Sequence, residues 1–157
     1  MKYSKLKKIG LGGLDLDDEG SIAVMNALKG GNVTSLDLSF NSISSNGLEG
    51  ISNQGFSGDM LILAGNDISN PGLASFAESL DKFPNLKTVD LRGNYFMGTS
   101  DLQESFEMLK DKELTVLIDG GCGLSASLVE NLKGQGVKIE VGSNVVKEEQ
   151  LRFPINW

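Results

Sequence analysis

Residues 33–43 read VTSLDLSFNSI, and within them Leu36, Leu38, Asn41 and Ile43 follow the order L-x-L-x-x-N-x-I. The same order returns along the chain. GDMLILAGNDI (58–68) fills the four slots with Leu61, Leu63, Asn66 and Ile68, and LKTVDLRGNYF (86–96) with Val89, Leu91, Asn94 and Phe96. GVKIEVGSNVV (136–146) supplies Ile139, Val141, Asn144 and Val146. LTVLIDGGCGL (114–124) supplies Leu117, Cys122 and Leu124, with Asp119 standing where the second leucine is expected. LGGLDLDDEGSI (11–22) fits with Leu11, Leu14, Leu16 and Glu19 in the asparagine slot. The first apolar residue of each pair then falls at 14, 36, 61, 89, 117 and 139, in steps of 22, 25, 28, 28 and 22 residues. Self-similarity at this period marks a solenoid built from one repeated unit.

Each part of the motif has a physical reading. In L-x-L the two apolar side chains point to one face of a short strand and the residue between them to the other. An asparagine three residues later can hydrogen-bond turn backbone that would otherwise be buried unpaired, and stacking aligns such amides in a ladder. Between the strands lie helix-forming stretches. NPGLASFAESLDKF has Pro71 near its start and Leu73, Phe76, Ala77 and Leu80 at helical spacing. TSDLQESFEMLKDK places Leu102, Phe106 and Leu109 on one side, EGSIAVMNALKGG repeats Ile22, Met25 and Leu28, and SASLVENLKGQG has Leu128 and Leu132. SNGLEGISNQGF is the weakest, since two internal glycines predict a turn or a single helical segment. At Asp119 two readings stay open: a buried aspartate with partners, or a strand slipped by one residue.

The chain resembles the leucine-rich repeat family, and its grammar is similar to that of the ribonuclease inhibitor-like subclass, over roughly Leu11 to Val146. The resemblance implies an α/β solenoid of about six repeats, with parallel strands on a concave face and helices on a convex one. Known members include enzyme inhibitors, actin-binding tropomodulins, Ran GTPase-activating proteins and bacterial effectors. The chain is expected to divide into an N-terminal cap or frayed segment (1–10), a repeat domain (11–146) and a capping tail (147–157), in which Leu151, Phe153, Ile155 and Trp157 close the last repeat or, in the alternative reading, are held out for a partner.

Composition narrows the function. Fourteen Lys and Arg against 21 Asp and Glu give a net charge of -7, a field that repels nucleic acid phosphates and anionic membrane surfaces. With 157 residues, 39% of them hydrophobic, the chain can bury one core. MKYSKLKKIGLGGL has no apolar run of signal-peptide length, and a single cysteine favours a reducing compartment, so the expected location is the cytosol, the cell's own or that of a host. No histidine is present, which removes the commonest general base and metal ligand, and lone Cys122 reads as a ladder residue. Asp15, Asp17, Glu19 and Gly20 imitate a calcium loop, but Asn26 stands where a bidentate glutamate belongs, and Leu14 and Leu16 are already explained as core. The expectation is therefore no cofactor, no metal and no catalysis.

What remains is the sheet surface. Residues flanking and separating the apolar pairs should face solvent: Asp15, Asp17 and Asp18; Ser35, Asp37, Ser39 and Phe40; Met60, Ile62 and Ala64; Thr88, Asp90 and Arg92; Val116 and Ile118; Lys138 and Glu140. Acidic residues beside large apolar ones suit a protein interface. The expected partner-binding residues are Asp15, Asp17, Asp37, Phe40, Met60, Ile62, Asp90, Arg92 and Ile118, and the expected partner is a protein with a basic or mixed basic and apolar surface. The alternatives are a regulator of an enzyme or GTPase, or a structural subunit of a larger assembly.

Overall fold

A computed structural model describes residues 5–135 and 137–142. Strands and helices alternate: β1 (Lys8–Gly10), α1 (Asp18–Leu28), β2 (Ser35–Asp37), α2 (Ser45–Gln54), β3 (Met60–Ile62), α3 (Asn70–Glu78), β4 (Thr88–Asp90), α4 (Ser100–Glu107), β5 (Thr115–Asp119), α5 (Ala126–Lys133) and β6 (Lys138–Gly142). The six strands form one parallel sheet in chain order, each repeat pairing only with its neighbours. This is the one-dimensional stacking of a solenoid. Among the described residues, no helix is long and apolar enough to cross a membrane.

The core lies between the sheet and the helices. Leu36 and Leu38 of the second repeat, Leu61 and Leu63 of the third, and Val89 and Leu91 of the fourth are sealed against Leu48, Ile51, Leu73, Phe76, Leu102 and Phe106. Phe76 and Phe83 meet edge to face, with ring centroids 5.1 Å apart.

Two strands sit in a different register from the expected one. Ile9 pairs with Leu36, so the first apolar pair is Ile9 and Leu11, and the sheet starts inside the segment expected to be a cap. Leu14 takes the asparagine slot, not Glu19, and is exposed. Gly13 and Asp15 have φ of 68° and 59°, so the chain turns there and cannot run as a strand. In the fifth repeat Val116 pairs with Val89, and Val116 and Ile118 are both fully buried. The strand has slipped by one residue, which turns Asp119 outward, and the extra residue is absorbed by a 3-10 turn at Gly120–Cys122 that returns Cys122 to its buried slot. The apolar pairs then start at 9, 36, 61, 89, 116 and 139, and the short first step of 22 becomes 27.

The segment expected to be weakest, SNGLEGISNQGF, is a full ten-residue helix, α2. Its glycines are packing sites. A Cβ on Gly50 would lie 2.2 Å from Cδ1 of Ile22 in α1, and one on Gly47 would lie 2.3 Å from Oδ1 of Asp18. Burial of Leu48, Ile51 and Ser52 outweighs the roughly 1 kcal/mol of helix propensity that each glycine forfeits.

Candidate functional site

Two ladders of polar side chains fix the turns that follow the strands. In the first, Asn41, Asn66 and Asn94 each donate from Nδ2 to the carbonyl three residues back, at 3.0 Å from Leu38, Leu63 and Leu91. Each also reaches the preceding repeat, at Leu11, Leu38 and Leu63. Their Oδ1 atoms accept from the amides of Leu16, Ile43 and Ile68. The second ladder went unread in the sequence. Asp18, Ser45 and Asn70, each the first residue of its helix and each four residues past the asparagine slot, reach forward to the next repeat's turn. Asp18 accepts from the amide and hydroxyl of Ser44 at 2.7 and 2.6 Å. Ser45 accepts from the Ser69 amide, and Asn70 both donates to the Met97 carbonyl and accepts from the Met97 amide. Gly47 and Gly72 leave room for these side chains, since a Cβ on Gly72 would come within 3.1 Å of Ser45. The aligned register of these positions was the available signal.

Cys122 completes the first ladder as a buried thiol, and burial pushes its pKa up. A raised pKa keeps it protonated at neutral pH and poorly nucleophilic. It should therefore react with a maleimide at least about a hundredfold more slowly in the folded chain than in urea, as thiol-labelling kinetics followed by mass spectrometry would show.

The helix-free face of the sheet has two rows. One runs Lys8, Ser35, Met60, Thr88, Thr115 and Lys138, the other Gly10, Asp37, Ile62, Asp90 and Leu117. At its centre Ile62 and Ala64 pack with Phe40 and Met60 into an apolar cluster separate from the main core. Phe40 takes part at a conformational cost. Its φ is 51°, a region that disfavours a bulky side chain by about 1–2 kcal/mol. A Cβ on Gly65 would lie 2.7 Å from the Phe40 ring, so glycine in the next repeat makes the seat for it. Phe40 and Met60 stay half-buried and Ile62 is 3% exposed beneath them.

Charged groups flank this cluster. Asp37, half-buried, accepts from the Ser39 amide at 2.8 Å. On the other side Arg92 folds back over Asp90, with Nε to Oδ1 at 2.9 Å and Nη2 to Oδ2 at 2.5 Å. Asp90 is thereby fully buried rather than exposed, because a desolvated carboxylate persists only beside a matched cation.

Of the nine expected binding residues, Asp37, Phe40, Met60, Ile62 and Arg92 thus meet on one face, with Asp90 under Arg92. The other three do not join them. Ile118 belongs to the core, a consequence of the slipped strand. Asp15 and Asp17 lie in the loop before α1, where Asp17 caps the helix by accepting from the Gly20 amide at 2.8 Å. Leu117 takes the place on the face that Ile118 was expected to hold.

The family model for the leucine rich repeat matches residues 32–52 and 61–77, which hold β2 with most of α2, and most of β3 with most of α3. These two segments are similar to leucine-rich repeats. No curated protein matches the chain. Leucine-rich repeats characteristically build surfaces for protein–protein interaction and are typically non-catalytic. In this solenoid the ladders hold the turns, and the central repeats carry the apolar cluster.

The expected tail residues Leu151, Phe153, Ile155 and Trp157, like Asn144 and Val146, lie outside the described residues.

Proposed function

We propose that this leucine-rich repeat chain is a non-catalytic binding module whose helix-free, concave sheet face takes a partner protein through the cluster of Phe40, Met60, Ile62 and Ala64. The observation that carries the proposal is Phe40. A surface phenylalanine held at positive φ gains nothing for the backbone, and strain of this kind gathers at ligand-binding positions. The ring and Met60 supply an anchor, and Asp37 beside them favours a basic group on the partner. The partner therefore combines apolar and basic side chains, and the protein works in the cytosol of its own or a host cell. The ribonuclease inhibitor-like subclass suits the repeats, because steps of 25 to 28 residues between interior strands leave room for a full α-helix in each.

The test is a Phe40→Asn variant. Asparagine tolerates left-handed backbone, so relief of strain offsets much of the lost packing and stability should change by less than about 1 kcal/mol. Proteins retained by the immobilised wild-type chain are expected to be lost from Phe40→Asn and from Met60→Glu, both confirmed as folded by circular dichroism. Equal retention by all three forms would remove the proposed face.

A further inference from the structure

One slot of the repeat carries an aspartate twice, and the two are finished differently. Asp37 and Asp90 stand on either side of Ile62 in the same row of the helix-free face. In both, Oδ1 accepts from the amide two residues on, Ser39 at 2.8 Å and Arg92 at 3.1 Å, so the backbone holds the two carboxylates alike. From there they part. Arg92 lays its guanidinium across Asp90, meeting both carboxylate oxygens, and the aspartate is buried. Ser39 stands in the Arg92 slot of the second repeat and brings no charge to Asp37, which stays half-buried. Among the described residues Asp37 has no salt bridge, and its Oδ2 accepts no hydrogen bond.

Room for a cation is present beside it. Asp37 pairs with Gly10, and a Cβ on Gly12 would lie 3.6 Å from Oδ1, so on the β1 side no side chain from these two positions fills the space. On the other side Asp37 pairs with Ile62, on which Phe40 packs. Gly13, Gly65 and Gly93 take the same left-handed turn in the neighbouring repeats, at φ of 65° to 70°, so the turn belongs to the repeat and the second repeat places an aromatic ring on it. We infer, building on the binding face proposed above, that this place seats an arginine side chain of the partner protein, its guanidinium lying on Asp37 as that of Arg92 lies on Asp90, with Phe40 as its aromatic neighbour. A guanidinium forks to both oxygens of a carboxylate and stacks on an aromatic face, which the point charge of a lysine does less well. An apolar anchor alone, covering Phe40 and Met60, would strip water from Asp37 and leave the carboxylate uncompensated.

Nα-acetylarginine amide is the probe, titrated into the isotope-labelled full chain and followed by backbone amide NMR. It should give saturable shifts at Ser39 and Phe40 with a dissociation constant of about 1–10 mM. Nα-acetyllysine amide should bind at least about fivefold more weakly, and the uncharged citrulline analogue should give no shift. Asp37→Asn keeps the shape and should weaken the arginine probe at least about tenfold. Ser39→Arg supplies from within the chain the cover that Arg92 gives Asp90, and should abolish binding with Asp37 still in place. Equal affinity for the lysine probe, shifts of the same size at Asp15 and Asp17, or an Asp37→Asn variant that binds like wild type would each overturn the inference. Asp37→Asn and the citrulline comparison decide the matter if Ser39→Arg does not fold. Captured proteins lost from Met60→Glu but retained by Asp37→Asn would remove the arginine seat and leave the wider face standing, whereas retention by Met60→Glu as well would remove the face itself.

Discussion

Asn66→Ala should lower the stability of the chain by about 3 kcal/mol, a large share of the 5–15 kcal/mol typical of a domain. The size follows from which neighbours lose their partners. Leu38 O and Leu63 O each accept from two ladder amides, so they keep Asn41 and Asn94 respectively when Asn66 is removed. The Ile43 amide has no such reserve, because it donates to Asn66 Oδ1 at 3.1 Å inside a fully buried turn. Orphaning it, together with the space left by the amide, accounts for the loss. Urea denaturation followed by circular dichroism would measure the effect. A change below about 1 kcal/mol would mean that the ladder is not what holds the turns together.

The second large effect separates neighbours in β5. Ile118→Asp places a carboxylate where the side chain is 0% exposed among core residues, and should cost about 4 kcal/mol or more, enough to leave much of the chain unfolded. Leu117→Lys, one residue away, should cost about 1 kcal/mol, because Leu117 faces the helix-free side and a lysine stem can lie along the sheet with its ammonium near Asp90 and Asp119. Thermal unfolding of the two variants decides the register. A reversed order, with Leu117→Lys the more damaging, would restore the unslipped strand.

That pair of residues also shows where the sequence could be read and where it could not. The registers at Leu36, Leu61, Val89 and Ile139 were legible because each offers a single L-x-L-like pair followed by asparagine at a fixed distance. The first and fifth repeats each offer two competing pairs: Ile9 with Leu11 or Leu14 with Leu16, and Val116 with Ile118 or Leu117 with Asp119. The leucine-leucine pair favours the wrong member in the first repeat, against a step of 27 from Ile9 that fits the interior repeats, and the distance to Cys122 favours the wrong one in the fifth. In the fifth repeat Cys122 lies the standard distance from Leu117, and nothing local announces that a 3-10 turn will absorb one residue. The decision is made by stacking, which aligns Val116 with Val89 and Ile9 with Leu36. α2 was underrated for a related reason. Helix propensity penalises Gly47 and Gly50, but both are empty spaces needed by Asp18 and Ile22 of the preceding repeat.

The candidate face was legible in outline, since period-two alternation assigns Asp37, Met60, Ile62 and Arg92 to one side of the sheet. Its electrostatics were not. Asp90 and Arg92 share a strand face two residues apart, a spacing visible in the sequence, yet only the folded geometry shows the carboxylate buried under the guanidinium. The strain at Phe40 is a property of backbone angles and has no sequence signature for a phenylalanine.

The measurement that bears most directly on the binding face is oxidative footprinting of the methionines, with and without a protein captured by the wild-type chain. Met60 lies half-buried in the proposed contact, while Met97 and Met108, 70% and 44% exposed and away from the sheet rows, serve as internal references. Binding at the proposed face predicts that oxidation of Met60 falls severalfold in the complex while Met97 and Met108 oxidise as before. Unchanged oxidation of Met60, with protection at Met97 or Met108, would contradict it and place the partner on the loops and helices instead.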